Sequence, residues 1–118
     1  MPTPGLSYKL LPVVFGASST ASGVVNLENL HIIGIVMPAT WTAAGITFLT
    51  SVDNVTYNTT TDVNATEISI SVSASKHVVV NPTTVPSARY VKLQSGTTSV
   101  TVTQVSATTL TLVCREYS

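Results

Sequence analysis

His31, His77, Cys114 and five carboxylates (Glu28, Asp53, Asp62, Glu67 and Glu116) are the chain's main means of binding a metal or doing acid–base chemistry. A zinc site needs these side chains to converge, usually from CxxC or HxxxH spacings. Neither spacing occurs, and the two histidines stand alone near strand starts. Asp53, Asn54 and Asp62 offer oxygens of the kind calcium takes, but turn chemistry accounts for Asp53 and Asn54 without an ion. The carboxylates include no adjacent pair of the kind that glycoside hydrolysis uses. Serine is common, yet there is no G-x-S-x-G and no glycine-rich phosphate loop. Cys114 alternates with Leu110 and Leu112, which reads as a buried structural thiol. The residues therefore point to a non-enzymatic protein with no metal and no cofactor.

Two further sets could recognise carbohydrate or carry it. Asn54-Val-Thr56, Asn58-Thr-Thr60 and Asn64-Ala-Thr66 match the N-glycosylation pattern, which a threonine-rich chain produces often by chance. Trp41, Tyr57 and Tyr90 are the candidates for a stacking platform for sugars. A tryptophan in a turn between two strands more often plugs the end of a core, its ring buried and its N–H bonded to a backbone carbonyl.

The elements that must position these residues are strands. The chain has 118 residues, enough for one domain with one core. Only 8% are charged, against roughly 25% in an ordinary soluble domain. Formal net charge is zero and mean hydropathy is +0.42. Threonine and serine supply the polarity instead, and threonine also favours strands. Near-zero net charge promotes association, so such a surface is expected to be covered in part by neighbouring subunits. Five basic residues without a cluster provide no phosphate-neutralising patch, so no direct nucleic-acid partner is expected. No apolar run reaches the roughly 18 residues of a membrane span. Lys9 before "LLPVVFGA" comes too late, and prolines interrupt too often, for a secretion signal. A lone cysteine leaves no internal disulfide.

Residues 1–23 hold three prolines, three glycines and the string "GASSTASG". They read as an extended N-terminal arm with one strand, Tyr8 to Phe15, and then a flexible loop. The arm either lies on its own domain or reaches a neighbour. From residue 24 to 118 the period is two. "HIIGIVMP" is a near-continuous apolar run, expected to be central and covered on both faces, with Gly34 marking a bulge or close packing. "GITFLTSV" and "VTYNTTT" flank Asp53-Asn54, a two-residue hairpin signal. "TEISISVS" turns Ile68, Ile70 and Val72 inward. "KHVVVNP", "RYVKLQSG" (Val91 and Leu93 on one side), "TTSVTVTQV" and "ATTLTLVCREY" complete the strands. No segment of ten residues shows the helical period. The fold class is all-β, a single antiparallel β-sandwich or jelly roll.

Two stretches carry a resemblance. "ITFLTSVDNVTYN" and "VPSARYVKLQS" resemble, in order, two strand regions of galactose-binding-like (discoidin or coagulation-factor C-type) jelly rolls, over roughly Leu30 to Tyr117. The paired terminal cysteines of those domains are missing, and no ligand residue transfers. The chain is also similar to small structural proteins of tailed bacteriophages. Met37, Pro38, Ala39, Trp41, Thr42, Ala43 and Ala44 carry that likeness in one turn, with Ser51 and Asp53 in the next and Ala88, Arg89, Tyr90 and Lys92 later.

The likeness implies a virion component assembled in the bacterial cytoplasm, either a capsid decoration (cement) protein or the base of a head fibre. Its implied partners are the major capsid protein or other virion proteins and further copies of itself, a trimer being favoured because cement proteins are often trimers. Trp41, Asp53, Arg89 and Tyr90 are the expected fold anchors, Arg89 by pairing with Asp53 or bonding loop carbonyls. Tyr8, Leu10, Leu11, Val13 and Phe15 are the expected assembly arm. The alternative function is a carbohydrate-binding module of a tail or secreted protein.

Overall fold

The structure is a computed structural model that describes residues 8–28, 30–81 and 88–116. These residues hold β1 (Tyr8–Phe15), β2 (Val25–Asn26), β3 (Leu30–Val36), β4 (Ile46–Ser51), β5 (Asn58–Thr59), β6 (Ser69–Ile70), β7 (His77–Val79), β8 (Tyr90–Ser95) and β9 (Thr108–Glu116). There is no helix among them. One sheet runs β1-β9-β3-β7, and the other runs β2-β8-β4-β5 with β6 also on β4. All pairings between these strands are antiparallel.

The pairing is nested. The first strand meets the last, β2 meets β8, β3 meets β7, and β4 meets the broken return strand β5 and β6. A long hairpin rolled into two sheets gives this order, which is the wrapping of a jelly roll. The core lies between the sheets. Val13 and Phe15, Ile32 and Ile35, and Leu110, Leu112 and Cys114 face Val25, Ile46, Phe48, Val91 and Leu93.

β1 shows where the chain from Tyr8 to Phe15 goes. It lies on its own domain, in register with β9 from Tyr8↔Arg115 to Phe15↔Thr108. Val13 and Phe15 are core residues, so the boundary expected after residue 23 falls inside the sandwich. Nor is "GASSTASG" a free loop. Ser22 N–H donates to Leu93 O (2.8 Å), Ser95 N–H to Thr20 O (2.7 Å), and Leu93 N–H to Ser22 Oγ (3.0 Å). Small side chains let this segment run close beside β8, and its orphan backbone groups are satisfied there.

The apolar run in β3 has a different cause from the one its composition implies. The register slips between Ile32↔Cys114 and Gly34↔Val113, so Ile33 is the extra residue of a bulge. Leu30 and Ile32 point inward before it, and Ile35 and Met37 after it. Apolar residues of both parities are thus needed on one face, while Val36 on the other is exposed. Within the chain itself, only the inner face of β3 is covered. Gly34 combines bulge and close approach, since a Cβ there would lie 2.9 Å from His77 Nε2.

Two other expectations are corrected. Asp53-Asn54 is not a two-residue hairpin turn: β4 ends at Ser51 and β5 begins at Asn58, which leaves a six-residue loop, 52–57. "TTSVTVTQV" is not a strand but an irregular connection held by the bridges Gly96↔Thr101 and Ser19↔Gln104. Gly96, at φ 87°, starts it by turning the chain sharply back. In "TEISISVS", Ile68, Ile70 and Val72 do pack against the core, although only Ser69–Ile70 is regular strand.

Candidate interaction surface

Trp41 lies where the chain leaves β3 in one sheet for β4 in the other. It is 6% exposed. Its indole N–H donates to Ala44 O (3.1 Å), and its ring meets Phe15 edge-on at 5.3 Å between centroids. It closes one end of the core and is not available as a sugar platform. The corner is clamped by Gln104, a fully buried side chain that the sequence reading did not single out. Gln104 Oε1 accepts from Thr42 N–H (2.8 Å), and its Nε2 donates to Thr42 O (3.0 Å) and Ser95 Oγ (2.9 Å). A lone glutamine in a hydroxyl-rich loop carries no local signal for this role, because its partners lie far away in sequence.

Asp53 organises its own loop. Its Oδ1 accepts from Ser51 Oγ (2.8 Å), Val55 N–H (2.9 Å) and Thr56 N–H (3.0 Å). The backbone N–H of Thr56, then that of Val55 and the Ser51 hydroxyl, hold the carboxyl below its ordinary value. Asp62 Oδ1 accepts from Asn64 N–H and Thr66 N–H in the same manner. Arg89 does not pair with Asp53. Its side chain is exposed, 3.4 Å from Asn26 Oδ1, with its guanidinium 5.4 Å from the centre of the Tyr90 ring. Asp53, its expected partner, is turned into the 52–57 loop. Cys114 is buried, and burial pushes its thiol up to about 11, which suits a packing residue. His31 and His77 project from β3 and β7, and no group of three metal-binding side chains forms among the described residues.

The two outer faces of the sandwich differ. On the β2-β8-β4-β5 side, polar side chains bond one another. Thr47 Oγ1 donates to Gln94 Oε1 (3.0 Å) or Gly96 O (2.8 Å), and Thr98 Oγ1 donates to Glu67 Oε2 (2.6 Å). Lys92 Nζ sits 4.5 Å from the centre of the half-buried Tyr57 ring, and Tyr57 O–H donates to Asn54 Oδ1. This face is polar, and its side chains bond one another.

The β1-β9-β3-β7 side carries an apolar patch, which the strand register sets beside Thr109, Thr111, Arg115, His31 and His77. The alternation that sends Val13 and Phe15 inward turns Tyr8, Leu10 and Val14 outward, and their β9 neighbours include Val113. Tyr8, Leu10 and Val79 are 69%, 64% and 82% exposed. With Ile33, His77 and Val113, these three line an open trough of about 580 Å³ across the sheet. Of the expected assembly residues, Tyr8 and Leu10 are thus on this face, Leu11 is half-buried, and Val13 and Phe15 belong to the core. Contiguous exposed apolar surface of this kind marks interaction sites. Searches against protein-family models, curated proteins and solved structures find no match to this chain.

Proposed function

We propose that this chain is a non-enzymatic structural protein of a bacteriophage particle, a capsid decoration protein or head-fibre base that binds capsid subunits and stabilises the shell. The observation that carries the reading is the apolar outer face on an almost uncharged sandwich. Such a face is costly in water and is tolerable on a protein that works inside an assembly. The specific place, a phage head, rests on the likeness carried by the Met37–Ala44 turn, Ser51 and Asp53, and Ala88–Lys92. Binding only the assembled shell stabilises it by mass action. The test is purification of particles from the source phage. The chain should sediment with them, and shells carrying it should open at a higher temperature than shells without it. Particles that lack the chain would refute the reading.

A second reading, a carbohydrate-binding module, draws on Tyr57, Tyr90, Lys92 and Asn54, which gather on the polar face. It now excludes Trp41. Glycan binding that disappears in Tyr57→Ala, with the fold retained, would favour it.

A further inference from the structure

We infer that the apolar outer face of the β1-β9-β3-β7 sheet is covered by the same face of a second copy, giving a two-fold dimer. The inference deepens the proposed function by naming what hides this surface.

Three observations select a second copy and this geometry. The first is charge. Arg115 is the one Lys, Arg, Asp or Glu among the described residues that the strand register places on this face, and its guanidinium lies 5.9 Å from the centre of the chain's own Tyr8 ring. Two such faces meet with little like-charge repulsion, and the chain's net charge of zero adds none at longer range. A face with so little charge pattern also has little with which to select a foreign partner.

The second is the edge. β1 is the long border of this sheet, the usual place for another strand to add, and at one end Val14 O already accepts from Gly23 N–H (3.2 Å). Pro12 in its middle has no N–H to donate, which interrupts such a ladder. Copies are thereby directed to meet face to face, as twisted sheets packing about 30° apart.

The third is size. Four strands about 4.8 Å apart, the longest rising about 3.3 Å per residue, present roughly 500 Å² in projection. Side-chain relief raises the accessible area toward the roughly 600 Å² per partner at the lower end of specific interfaces. One self-complementary patch closes as a pair. A trimer would need two different patches per copy.

Sedimentation velocity on the full chain, from about 5 to about 200 µM, tests this at the low-end affinity that such an area implies. The expected result is a species of twice the 12.3 kDa chain mass that grows with concentration. Leu10→Lys and Val79→Lys, on separate strands, should each weaken it at least about tenfold by burying an unpaired charge. Circular dichroism should stay unchanged, because both side chains are exposed. Val63→Lys, on a loop away from this face, should leave the mass distribution as it is. A monomer at every concentration, a trimer, or a dimer indifferent to both face variants would overturn the inference. A monomer that still binds shells would refute the pairing alone; a dimer absent from particles would refute the virion role alone.

Discussion

The Trp41 ring gains twice from its position, through edge-on contact with Phe15 and through the bond from its N–H to Ala44 O. Truncation would remove both and open a void at the end of the core. Trp41→Ala should therefore lower stability by about 3–5 kcal/mol in urea denaturation. Arg89→Ala should cost less than about 0.5 kcal/mol in the same assay, since the side chain is exposed and its bond to Asn26 is long. Asp53 behaves differently with pH. Its carboxyl is held below the ordinary value in the fold, so its contribution is present above an unfolded pKa of about 3.9 and fades as pH falls through the folded pKa. The gap in melting temperature between wild type and Asp53→Ala should thus narrow from about pH 6 to about pH 3.

Among the elements, β3 and the connection after β8 depend on two glycines in different ways. At Gly34 the nearest obstacle to a Cβ is the His77 ring at 2.9 Å, a side chain on the exposed outer face that is able to move. At Gly96 the obstacles are backbone, Val100 O at 2.5 Å and Val102 N at 2.9 Å, and φ is 87°. Gly96→Ala should cost at least about 1–3 kcal/mol, and Gly34→Ala less, when both are melted side by side. β1 follows from the same reasoning. Removing it would uncover β9 and delete Val13 and Phe15 from the core, so a chain truncated before Gly16 should fail to fold by circular dichroism. Shortening the N-terminus is consequently no test of an assembly arm.

For the whole molecule, the proposed pairing through one apolar face would link stability to concentration. If only folded chains pair, the melting temperature should rise with protein concentration, and Leu10→Lys should move that rise to at least about tenfold higher concentration. The polar face predicts nothing of this kind, because its hydroxyls, Gln94 and Glu67 already bond one another. The two outer faces differ in residue type because of which side chains of each strand the rolled hairpin turns outward.

What the sequence determined by itself was local. Period-two alternation placed β8 and β9 closely and set Val91 and Leu93 on one side, the buried one, because a pleated strand facing one core writes that pattern directly, while β3 was legible as an apolar run and β1 as the strand of the N-terminal segment. The charge-poor composition raised the expectation of covered surface, which the proposed pairing takes up. What needed the tertiary structure was everything set by partners distant in the chain. The bulge at Ile33 changes which residues of β3 face inward, Gln104 clamps a corner 62 residues away, and the six-residue loop takes its shape from Asp53. The apolar trough is the clearest case. Tyr8, Ile33, Val79 and Val113 are scattered through the sequence, and only the order β1-β9-β3-β7 sets them side by side.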